Sequence, residues 1–212
     1  MKQRTPEETY GPALEKAIRD LRAFDPWLVA LRSYTKYTQL TDTSGQIEVR
    51  FWGKDYLVRH PEISVEEIET GQEPPIAVKI LILHYLINAD GTPLADAWIS
   101  FRELPDGHVY DAAFRRRANF RLAQAFGANL EGFVAAAKAL GGERLTFGDA
   151  SFLFPMFPRL RLAVVLYLAD EEFPASASVL FDAAAGHYLP TEDLAVLGGM
   201  LARRLIKAGR ER

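Results

Sequence analysis

Apolar residues recur at Leu14, Ala17, Ile18 and Leu21, the three-and-four spacing of a helix face, and predict a helix over residues 6–21. Asp25-Pro26 opens a second, shorter helix. Asp25 is a cap acceptor, and the fixed φ and missing N–H of Pro26 suit a first turn. The period then changes to two. Ile47, Val49 and Phe51 alternate with polar residues, as on a half-buried strand. Gly53-Lys54 is expected to join this strand to a return over residues 55–59 through a type II′ turn. Residues 76–87 are apolar almost throughout and end at Asn88-Ala89-Asp90-Gly91. Their length and the preceding Pro74-Pro75 favour a helix, while the β-branched content keeps a strand open. Residues 97–104 read as a strand with Trp98, Ser100 and Arg102 on one face. Pro105-Asp106-Gly107 then reads as a turn, and His108, Val109 and Tyr110 as the returning strand. Asp111 is expected to cap a helix striped by Phe114, Ala118, Leu122 and Ala125. The next helix carries Leu130, Phe133, Val134, Ala137 and Leu140 and stops at Gly141-Gly142. Residues 143–147 and 150–154 form a hairpin around Gly148-Asp149, and residues 160–169 and 179–181 are strands. A last helix starts at Thr191, with Leu194, Leu197, Leu201 and Leu205 on one face.

Strands thus arrive mostly as hairpins, with helices grouped between them. That order predicts an α+β fold with a mainly antiparallel or mixed sheet and helices packed on it. Phe133, Val134, Val164, Leu166, Leu180, Leu197 and Leu201 are the expected core. Residues 1–212 read as a single domain. An N-terminal subdomain of residues 1–70, with a boundary near 71–75, is the other division the Gly/Pro cluster allows, although that stretch holds little apolar surface of its own.

Composition narrows the classes of function. A chain with 49% hydrophobic and 25% charged residues is an ordinary folding sequence, not a disordered one. The absence of cysteine excludes disulfides, thiolate metal sites and thiol nucleophiles within the chain. A net charge of -3 offers no general attraction to nucleic acid or an anionic membrane. No apolar run approaches the ~20 residues a membrane span needs. Residues 1–8 are polar and lack the apolar centre of a signal peptide. The expectation is a soluble cytoplasmic protein that binds neither nucleic acid nor membrane.

Motifs for phosphate cradles, serine nucleophiles and helical zinc sites are absent, and His60, His84, His108 and His187 have no metal-ligand spacing, so no metal site is expected. Gly198-Gly199 within a helix reads as a place of close packing. Arg115-Arg116-Arg117 fans over some 200° of a helix, which suits a solvated face with an Asp111–Arg115 pair. Asp170-Glu171-Glu172 reads as a charged turn. The segment from Phe181 to Leu194 is more informative. A strand ends in Asp182, small residues follow, and Thr191 can cap a helix whose first turn holds Glu192 and Asp193. Asp182 and His187 are left over from that account. A carboxylate and an imidazole near a helix start could bind a ligand or move a proton. The candidate ligand-binding residues are Arg102, Arg116, Asp182, His187 and Thr191, with Asp182 and His187 as the catalytic candidates. Acids in the first turn favour a neutral or singly charged small molecule over a polyphosphate.

Four segments carry a resemblance: Trp98-Ile99-Ser100-Phe101-Arg102-Glu103-Leu104-Pro105, Phe114-Arg115-Arg116-Arg117-Ala118, Gly148-Asp149-Ala150-Ser151-Phe152, and the stretch from Phe181 to Leu197 with Tyr188-Leu189-Pro190-Thr191-Glu192-Asp193. In these the chain resembles a bacterial and archaeal family known as domain of unknown function 3786, from about Ala13 to Leu205. Some members of that family resemble fusions to a four-cysteine iron–sulfur module like that of corrinoid proteins. The resemblance implies, for a chain without cysteine, a separate iron–sulfur or corrinoid protein as partner. It brings no established activity and no catalytic residues, and it leaves the cofactor unknown. Two functions remain. One is a binding or accessory module linked to anaerobic redox, iron–sulfur or corrinoid metabolism. The other is an enzyme acting on a small anionic substrate, with Arg102 as anchor and Asp182 and His187 in proton transfer.

Overall fold

The structure, a computed structural model, describes residues 6–211. Residues 1–5, part of the stretch read above for a leader, lie outside the described residues, as do Arg212 and the side chains of residues 6–8. In chain order come α1 (Pro6–Arg22), α2 (Pro26–Ser33), β1 (Lys36–Gln39), β2 (Gly45–Phe51), β3 (Lys54–His60), β4 (Ser64–Glu67) and α3 (Ile76–Asn88). Then follow β5 (Trp98–Ser100), a 3-10 turn (Phe101–Glu103), α4 (Gly107–Arg117), α5 (Asn119–Phe126) and α6 (Leu130–Ala139). The chain continues with β6 (Glu143–Leu145), β7 (Ala150–Phe157), β8 (Leu160–Tyr167), β9 (Ser176–Asp182), a second 3-10 turn (Ala185–His187) and α7 (Thr191–Arg210). The strands form two antiparallel sheets, ordered β1-β2-β3-β4 and β5-β9-β8-β7-β6, so the fold is α+β. The chain divides into two compact units. Unit 1 holds the described residues to Pro93 together with Met156–Arg159 and His187–Leu189, and unit 2 holds Leu94–Pro155, Leu160–Gly186 and the chain from Pro190 onward.

In unit 1 the capping expectation holds: the Asp25 carboxylate accepts from the backbone N–H of Trp27 at 2.8 Å and of Leu28 at 3.4 Å. Alternation along β2 buries Ile47, Val49 and Phe51. The β2–β3 hairpin forms, but its turn is Trp52-Gly53, one residue earlier than expected, because Phe51 pairs with Lys54. Both turn residues have positive φ, 46° and 80°, which makes it type I′ and not II′. The Trp52 N–H is held by the Met156 carbonyl at 2.8 Å. Residues 76–87 are helical, as their length favoured, and α3 is buried on almost every side. Tyr85 of α3 stacks on Phe157 at 4.2 Å and on Tyr188 at 5.4 Å. Its hydroxyl donates to the Ser33 carbonyl at 2.7 Å and accepts from the Arg159 N–H at 3.2 Å. Burial pushes that hydroxyl well above the usual phenol range. Residues 71–75 form the loop between β4 and α3.

Unit 2 corrects several expectations. The strand over residues 97–104 stops at Ser100, because the Glu103 carboxylate turns back to accept from the Ser100 N–H at 2.8 Å and its hydroxyl at 2.7 Å. Arg102 therefore sits in a 3-10 turn, not on a strand face. Pro105-Asp106-Gly107 leads into α4, so His108, Val109 and Tyr110 are helical and Asp111 is not a cap. Val and Tyr favour strands only where a pleated neighbour covers them, and here Val109 and Tyr110 are exposed. The helix breaks at Ala118, and the break turns Ala125 outward while Phe126 is buried. Phe133, Val164, Leu166, Leu197 and Leu201 are buried as expected. Leu180 is half-buried: β9 places Ala177, Val179 and Phe181 on its inner face, and a period of two sends Leu180 to the other. Val134 is half-buried at the flank of the inward stripe of Phe133, Ala136 and Ala137. Gly198 is a point of close packing, where an added Cβ would lie 2.9 Å from the Phe114 ring.

Candidate functional site

Asp182 ends β9 in unit 2 and is 1% exposed. Its Oδ1 accepts from the N–H groups of Ala95 and Ala184, both at 2.9 Å, and its Oδ2 from Asp96 at 3.1 Å. The Arg161 guanidinium lies 3.8 Å away and also pairs with Asp96. A buried carboxylate is stable only when its charge is met by donors, and these four groups meet it. Asp182 therefore ties the approach to β5 to the chain that follows β9. Both of its oxygens are engaged in doing so.

His187 belongs to unit 1 and has a different set of partners. Its Nδ1 lies 2.7 Å from Asp90 Oδ2 and 3.2 Å from Thr92 Oγ1. The Thr92 N–H donates to Asp90 Oδ1 at 2.9 Å. The hydrogen bond from His187, followed by those from Thr92, holds the Asp90 carboxyl down at about 2. An ionised carboxylate only accepts, so Nδ1 donates to it, and a ring carrying a single proton then has its lone pair on Nε2. The Tyr188 hydroxyl donates to the Thr92 carbonyl and fixes the loop from the other side. The side chains of Asp90 and His187 are each 50% exposed, so this is an oriented imidazole open to solvent. Asp90 was read above only as part of a helix stop. The spacing Asp90-Gly91-Thr92, in which an Asx carboxylate takes the N–H two residues on, was the local signal for its fixed position.

Arg102 lines a cavity of about 550 Å³ in unit 2 together with Asp111, Arg115, Asn119, Phe120 and residues 176–180. The Arg115 guanidinium lies 5.2 Å from the centre of the Phe120 ring. Asn119 accepts from the Val179 N–H at 3.2 Å, which holds this edge of the cavity to β9. Arg116 lines a smaller hollow of about 270 Å³ that shares Arg115 and Phe120 with the first. Arg115, assigned above to a solvated face, is thus the arginine common to both. Thr191 does not cap α7. Pro190 occupies the cap position, and the Thr191 hydroxyl donates to the Pro105 carbonyl at 2.6 Å. Among the described residues, no three His, Asp or Glu side chains are grouped to hold a metal ion.

No helix among the described residues is long and apolar enough to cross a membrane. Comparison with curated proteins and with solved structures gives no match. The family model described as Domain of unknown function (DUF3786) matches residues 25–204. Matched over most of its length, the chain belongs to that family.

Proposed function

We propose that the protein is a binding or accessory module whose ligand is a small, singly charged anion held by Arg102 and Arg115. The supporting observation is the cavity of about 550 Å³ lined by Arg102, Arg115 and Asp111, whose formal charges sum to a single positive charge. Phe120 supplies an apolar wall beside them. Arginine forks match carboxylate and related planar oxyanions. The saturation of Asp182 by backbone donors favours binding over proton transfer at that residue. In the finer form of this proposal the module serves a separate iron–sulfur or corrinoid protein in anaerobic metabolism. That form is supported by the resemblance to chains fused to a four-cysteine module. Native mass spectrometry of freshly purified, anaerobically handled protein tests the binding reading. The expected result is a retained small anion that is lost in both Arg102→Gln and Arg115→Gln. Retention unchanged in both variants would overturn it.

The second reading is an enzyme acting on a small anionic substrate with Arg102, Asp182 and His187. One observation favours it: the Asp90 carboxylate orients His187 so that Nε2 can take a proton. The two readings part at His187→Ala. The binding module retains its anion unchanged in that variant, whereas the enzyme loses turnover of the retained compound.

A further inference from the structure

A second cavity, of about 660 Å³, opens in unit 2 between α5 and the C-terminal half of α7. Four cations line it, Arg121 from α5 and Arg203, Lys207 and Arg210 from α7, and among the described residues no carboxylate does. Lys207 has Glu211 at 3.6 Å, but both side chains are largely exposed, so that pair is weak. Arg121, Arg203 and Arg210 have no ion-pair partner among the described residues.

Part of this charge has an ordinary explanation. Lys207 and Arg210 stand in the last turn of α7, where cations neutralise the negative end of the helix dipole. That effect fades beyond one turn. It does not reach Arg203, nearly two turns from the helix end, or Arg121, close to the start of α5. Like charges at i,i+4 and i,i+7 on one helix face repel each other, so Arg203, Lys207 and Arg210 together are mildly unfavourable without a counter-charge. Such an arrangement is relieved by an anion that spans several cations at once.

We infer that this cavity is a binding site for a small phosphorylated ligand carrying two or more phosphoryl groups. The charge selects the class: three or four uncompensated cations match a multivalent anion, in contrast to the single net charge around Arg102. The guanidinium geometry favours phosphate oxygens, which accept two parallel N–H bonds. The cavity volume suits a small molecule and falls within the usual range for ligand sites. A net charge of -3 gives the protein no general attraction to a nucleic-acid backbone.

Isothermal titration calorimetry of the full chain with sodium tripolyphosphate, at low and at physiological ionic strength, tests the inference. The expected result is saturable one-to-one binding that weakens with salt, as it must for exposed charges. Arg121→Gln and Arg203→Gln are each expected to weaken it about tenfold, the loss of one charge-assisted contact. Both residues are exposed and lie on different helices, so one variant checks the other. Arg102→Gln is expected to bind tripolyphosphate like the parent, which keeps this site separate from the cavity proposed above. Equal binding in parent, Arg121→Gln and Arg203→Gln, or no binding, overturns the inference. Displacement of tripolyphosphate by a single-stranded oligonucleotide that binds more tightly also overturns it, by making the surface a nucleic-acid site.

Discussion

Three backbone N–H groups converge on the Asp182 carboxylate, and an amide in its place has only one accepting oxygen. Asp182→Asn leaves a donor facing a donor, and is expected to cost about 1–3 kcal/mol in urea denaturation. His187→Ala removes a half-exposed ring and is expected to change stability by less than about 0.5 kcal/mol. The Asp90–His187 pair has a defined acid limb. The Asp90 carboxyl is depressed from 3.8 to about 2 in the folded protein. The stabilisation it provides is therefore complete above about pH 4 and is lost as pH falls through about 2. The difference in melting temperature between the parent and Asp90→Asn is expected to shrink over that interval. Half exposure keeps the difference small. The residue types of these clusters were visible in the sequence, but their partners were not. Asp182 is held by Ala95 and Asp96, and His187 by Asp90, across more than eighty positions of chain. No local spacing encodes such a pairing.

Leu197 lies on the buried stripe of α7, fully enclosed, and Leu197→Ala is expected to cost roughly 2–5 kcal/mol in chemical denaturation. A loss below about 1 kcal/mol would contradict that enclosure. Helices with a stripe of this kind were legible: α1, α6 and α7 all begin close to where periodicity placed them, and α2 follows its Asp25 cap. Helix α4 was misread because it has almost no stripe. Only Gly107 and Phe114 are buried in it, so strand-favouring Val109 and Tyr110 dominated the local pattern. The flanking strands β1 and β4 were missed for a related reason. Each is four residues long, and no clear alternation marks them beside a hairpin that supplies most of the buried side chains. Leu180 shows the limit of naming core residues from a hydrophobic run: of the adjacent positions 179, 180 and 181, a strand can turn only two toward one face.

The chain contributes to unit 1 in three separate stretches, the last of them His187–Leu189. A fragment ending at Pro93 would keep the four-stranded sheet and α1 to α3 but would lack Phe157 and Tyr188, the two rings stacked on Tyr85. It would also lack the Arg159 N–H that satisfies the Tyr85 hydroxyl. The expected outcome is a fragment without a cooperative melting transition, measured by circular dichroism. A sharp transition like that of the full chain would show that the later stretches are dispensable. The same interleaving bears on biosynthesis. Domains commonly fold in the order in which they leave the ribosome. Unit 1 is translated first, yet its aromatic stack cannot close until residue 189 has been made, so the earliest part of the chain must wait for nearly the whole of it. During that wait Tyr85 and the apolar flank of α3 are uncovered on the nascent chain, which makes this helix the natural target of a chaperone that recognises exposed hydrophobic segments.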